Sequence, residues 1–87
     1  MITNYTRDEM SSIRRGDKGA AVKLLQGVLS QLGYEVTDVD GSFGSETFEA
    51  VKSFQADYGL EDDGVAGDDT VTAMVSALWE QNSEDEG

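Results

Sequence analysis

The chain has 87 residues, eighteen acidic against six basic, a formal charge of −12, and no cysteine, histidine or proline. One small domain of this length offers surfaces and grooves rather than a deep reaction chamber, and the missing imidazole and thiol remove His-based triads, Cys–His dyads and thiolate metal sites. The negative balance argues against phosphate backbones and anionic membrane surfaces, so no nucleic acid or membrane partner is expected; on the residue types and small size no metal or cofactor is expected and no catalytic residue is assigned.

Residues 1–12, "MITNYTRDEMSS", show no clean hydrophobic period and read as a flexible N-terminal extension. They lack the basic and apolar regions of a secretory leader, and no apolar run approaches a membrane span. The chain is therefore expected to act where it is made, to be cytoplasmic until released by a route such as lysis, or to be part of a longer secreted protein.

The first helical segment, "AAVKLLQGVLSQLG", places Val22, Leu25, Leu29 and Leu32 on one stripe and ends at Gly33, a C′ glycine. Asp17, just ahead of it, is the expected N-cap. The piece "YEVTDVD" alternates Tyr34, Val36 and Val39 with polar residues but is too short for a strand assignment. A second segment, "SETFEAVKSFQADYG", lines up Thr47, Phe48, Val51, Phe54 and Tyr58 and stops at Gly59. The third, "DTVTAMVSALWEQ", offers Val71, Met74, Val75 and Leu78, with Trp79 at the edge, either closing the bundle or free to stack on a sugar. The pattern predicts an all-α, compact three-helix bundle over residues 13–80, followed by an acidic tail over 81–87.

Between the helices one phrase occurs twice. "DVDGSFGSET" and "EDDGVAGDDT" align Asp40 with Asp63, Gly41 with Gly64, Gly44 with Gly67 and Thr47 with Thr70, and "AVKLLQ" at 21–26 matches "AVKSFQ" at 50–55. The chain reads as a repeated turn-helix unit. Asp before Gly makes a tight turn in which the carboxylate accepts from the amide two residues on and the glycine takes positive φ. The second glycine of each turn, or Ser45 or Asp68 after it, is placed to cap the next helix, and Gln26 and Gln55 are expected to bond backbone near helix ends. Neither turn is a calcium loop. Centring one on Gly41 or Gly64 puts Val36 and Thr47, or Gly59 and Thr70, where an EF-hand needs Asp and Glu.

The stretches "IRRGDKGAAVKLLQGVLSQLGY" and "VDGSFGSETFEAVKSFQADYGLEDDGVAGDDT" resemble the peptidoglycan-binding domain of bacterial cell-wall hydrolases. The resemblance covers about residues 13–79. It implies a noncatalytic three-helix module that tethers itself or a partner hydrolase to the wall, with a shallow surface near the first turn that contacts the glycan or its stem peptide. Carried over by position, that surface is Asp40, Gly41, Ser42, Phe43, Gly44 and Thr47; Tyr34, Arg14 and Arg15 are added from their neighbourhood, the two arginines as partners for wall carboxylates. Each residue also has a structural reading: Asp40 and Gly41 as turn formers, Phe43 as a core plug, the arginines as solvated surface. The competing reading keeps the fold and drops the wall, giving an acidic interaction module for a basic protein partner.

Overall fold

The computed structural model describes residues 12–83, with side chains through residue 81, as three helices: α1 (Ala20–Gln31), α2 (Ser45–Asp57) and α3 (Asp68–Ser83). Helix α1 is the centre of the arrangement, packing against both others. Its buried stripe is Val22, Leu25 and Leu29, and these meet Val51 and Phe54 of α2 and Met74 and Ala77 of α3. The turns contribute to the same core, because Phe43 and Ala66 point inward, and Val36 enters from the link before the first turn. Among the described residues there is no strand, only two isolated antiparallel bridges, Ile13 with Ala66 and Lys18 with Ser42. Residues 1–11 of the expected extension and 84–87 of the expected tail lie outside the described residues; α3 itself runs on to Ser83.

Helix ends follow from glycine geometry more than from side-chain caps. Gly33 and Gly59, just past α1 and α2, have φ of 98° and 71°, the left-handed conformation that ends a helix without a Cβ clash. Asp17 is not the N-cap of α1. Gly19 takes that position, without a side-chain cap, and Asp17 stands two residues too early. Its Oδ2 instead accepts from the Arg14 amide at 3.0 Å, closing a local turn that its own amide completes by donating to Arg14 O. Gly44 likewise begins α2 with no side-chain cap.

The buried face of α3 differs from the expected stripe. Thr70, Met74 and Ala77 are buried, while Val75 is 61% exposed. The core step runs four then three residues from Thr70, so the residue after Met74 is rotated about 100° out of the interface. Trp79 is 71% exposed and does not close the bundle. Tyr58 is also largely exposed, stacking on buried Phe54 with centroids 4.3 Å apart.

Candidate functional site

Each Asp-Gly turn is built on the side chain of a buried glutamine from the preceding helix. Gln26, 1% exposed, donates through Nε2 to Ser42 O at 3.0 Å and Thr47 Oγ1 at 2.9 Å, with a longer contact to Asp40 Oδ1 at 3.4 Å. Its Oε1 accepts from the Gly41 amide at 2.8 Å. Asp40 Oδ1 in turn accepts from the Ser42 amide at 3.0 Å, the two-residue bond expected of this turn. That amide, helped by Gln26, holds the Asp40 carboxyl below its ordinary pKa.

The second turn repeats the scheme atom for atom. Gln55 Nε2 donates to Val65 O and Thr70 Oγ1, both at 3.0 Å, and to Asp63 Oδ1 at 3.2 Å, while its Oε1 accepts from the Gly64 amide at 2.9 Å. Val65 N bonds Asp63 Oδ1 at 2.9 Å. Gly41 and Gly64 have φ of 80° and 77°. Sequence reading took the two glutamines for generic backbone contacts. The signal that finds their role was present: the same Gln closes both "AVKLLQ" and "AVKSFQ", each followed by an Asp-Gly-x-x-Gly-x-x-Thr turn.

The segment before α1 ties the two turns together. Ile13 and Ala66 exchange both backbone bonds, at 3.0 and 2.8 Å. A few residues on, Gly16 N donates to Phe43 O, Phe43 N to Asp17 O, and Gly19 N to Gly41 O, at 2.8–3.0 Å. Arg14 and Arg15 therefore sit between the pairing with the second turn and the pairing with the first.

The residues expected at the ligand surface divide accordingly. Gly41, Phe43 and Thr47 are buried, the last two at 3% and 2% exposure, so they shape the first turn from inside. Asp40, Ser42, Gly44, Arg14 and Arg15 are exposed around it. Arg15 reaches α2, where Nη2 donates to Ser45 Oγ at 3.3 Å and the guanidinium lies 4.5 Å from the Phe48 ring centroid. Tyr34 belongs elsewhere, on the α2 flank that carries residues 46, 49, 50, 53 and 57. Its hydroxyl donates to Asp57 Oδ2 at 2.7 Å, and its ring meets Phe54 edge-on at 5.7 Å. Burial, with the Asp57 bond and charge adding to it, raises the Tyr34 pKa well above the usual phenol range.

Tyr34 forms one wall of an open groove of about 350 Å³ lined by Glu35, Glu46, Glu49, Ala50 and Ser53. Glu46 is fixed there, since its carboxylate accepts from the Thr37 amide at 3.0 Å and from the Thr37 hydroxyl at 2.9 Å. The groove offers carboxylate and hydroxyl acceptors around a small apolar floor. Sequence reading missed Glu46, Glu49 and Ser53 as a set; their helical spacing was legible, but which loop would face them was not. Among the described residues no group of three or more potential ligands is arranged to hold a metal ion, and no helix is long and apolar enough to cross a membrane.

A family model described as a peptidoglycan binding domain matches residues 18–74, a span that contains both glutamine-held turns. The spore cortex-lytic enzyme of Oceanobacillus iheyensis is 40% identical over 65 residues, 75% of this chain and 24% of that protein. The N-acetylmuramoyl-L-alanine amidase CwlM of Mycobacterium tuberculosis is 41% identical over 56 residues, 64% of this chain and 14% of the relative. Among solved structures, the SleB N-terminal domain superposes with a TM-score of 0.75 at 40% identity, covering 77% of this chain and 92% of that one. The chain thus spans a quarter or less of the two curated relatives but nearly all of a solved single domain.

Proposed function

The chain belongs to the peptidoglycan-binding domain family, and from that premise we propose that it is a noncatalytic module holding itself, or a catalytic domain joined to it, against the bacterial cell wall. The observation that carries the reading is the family match across residues 18–74, supported by a close structural likeness to the SleB N-terminal domain. The working unit is residues 13–80, and its place of action is the wall.

The proposed contact surface is the first turn with its surroundings. Asp40, Ser42, Gly44 and the two arginines face outward, while Gly41, Phe43 and Thr47 keep that turn in one shape. Around the α2 flank, the groove beside Tyr34 adds Glu46, Glu49 and Ser53 as acceptors for sugar hydroxyls and amide N–H groups, with Ala50 beneath. A preorganised turn loses little entropy on binding, which suits a shallow site. Monovalent affinity would be weak, and a joined hydrolase domain would profit from it through effective concentration.

The net charge sets the conditions of the test, since an anionic module approaching an anionic polymer is repelled over a distance that salt shortens to about 8 Å at physiological ionic strength. Purified chain is expected to pellet with insoluble sacculi, more completely at high salt than at low, and Ser42→Glu is expected to weaken it. A protein that is helical by circular dichroism yet stays in the supernatant at both salts refutes wall binding.

A further inference from the structure

Of the six basic residues, exposed Arg15 and half-buried Lys52 share one aromatic ring. Among the described residues neither forms an ion pair; both lie over the ring of Phe48, the guanidinium carbon 4.5 Å and the ammonium nitrogen 5.5 Å from its centroid. The ring is a fixed platform, half-buried and packed so closely on Gly64 that a Cβ there would overlap it. Arg15 is fixed as well, by its bond to Ser45 Oγ and by the backbone pairings on either side of it. Ser45 is the first residue of α2, whose N-terminus has no side-chain cap; Glu46 in the same turn is engaged by Thr37.

We propose that Arg15 and Lys52, held on Phe48 beside Ser45, form a subsite for a carboxylate of the wall peptide; the assignment rests on the peptidoglycan reading above. With one Nη2 bond spent on Ser45, the Arg15 guanidinium over the ring still has further N–H groups to offer a carboxylate. The ring beside it offers an apolar surface to the carbon chain that carries the acid. On a molecule of charge −12, an anion is held only where unpaired cations are concentrated, and direct contact survives the salt that damps long-range repulsion.

The experiment compares binding to intact sacculi, to sacculi whose carboxylates are coupled to methylamine, and to sacculi stripped of phosphodiester polymers. Arg15→Gln and Lys52→Gln are each expected to lower binding to intact sacculi about fivefold. Lys23→Gln, which removes an equal charge on the α1–α3 groove, should change it less than twofold. At high salt, where long-range repulsion is damped, amidation should bring the parent down to the level of Arg15→Gln and leave that variant unchanged, and stripping phosphate should have no effect. Parent binding that survives amidation, or an Arg15→Gln variant that binds intact sacculi as well as the parent, overturns the subsite and leaves wall binding standing. An equal loss with Lys23→Gln, or a loss on phosphate stripping alone, overturns it too. A parent that never pellets overturns both readings.

Discussion

Replacing Gln26 with leucine removes bonds to Gly41 N, Thr47 Oγ1 and Ser42 O at 2.8, 2.9 and 3.0 Å. The Ser42 carbonyl is at an exposed residue and can turn to water, but the Gly41 amide and the Thr47 hydroxyl are left buried. Two stranded groups at about 1–3 kcal/mol each, less a partial gain from burying leucine, give an expected loss of about 3 kcal/mol. Against a total stability of roughly 0.05–0.15 kcal/mol per residue, that is a large share. Gln55→Leu loses bonds of matching length and should cost the same within about 1 kcal/mol. Gln26→Glu should be worse than leucine at neutral pH, because a charged oxygen would face Ser42 O and Asp40 where an amide donated. Urea titrations followed by circular dichroism measure all three, with unchanged slopes required for the comparison. A loss below about 1 kcal/mol in either leucine variant would show that the glutamines do not hold the turns.

Two further outcomes follow from the same geometry. Gly59→Ala meets nothing within 4 Å and should cost only the left-handed backbone penalty of about 1 kcal/mol, whereas Gly64→Ala carries that penalty and also drives its Cβ into the Phe48 ring, so its melting temperature should fall further; equal effects would contradict the packing of the second turn on α2. Because the Asp40 pKa is lowered on folding, its contribution is present above the unfolded pKa and is lost as pH falls through the folded one; Asp40→Asn should therefore narrow its deficit to the parent as acid titrations proceed, and a pH-independent deficit would refute the coupling.

Much of the fold was legible because its signals are local. The α1 stripe of Val22, Leu25 and Leu29 is a spacing, and the Asp40 and Asp63 bonds to amides two residues on are turn chemistry. What failed depended on rotation or on contacts far along the chain. Val75 and Met74 are equally apolar neighbours, and only packing against α1 decides which is buried. Asp17 has the right chemistry for a cap but was drawn into the turn with Arg14. The expected ligand set gathered residues close in sequence, while the fold sends Tyr34 to one flank of α2 and Arg15 to another. Lys52 enters the proposed subsite only because Arg15, far earlier in the chain, comes to rest on the same ring.

The lacing of residues 13–19 across both turns also decides how the module would bear tension. A pull on the chain ahead of Ile13 passes first into its two backbone bonds with Ala66, then into those of Gly16, Asp17 and Gly19 with the first turn, before any helix is loaded. A pull from the far end instead enters along α3, which is tied to α1 by Gln81 Nε2 on Gln31 O and, at its first turn, to Gln55 through Thr70 Oγ1. The two ends are thus mechanically unlike: strain arriving at one is felt first at the turns, and strain arriving at the other crosses the length of α3 before it meets the second of them.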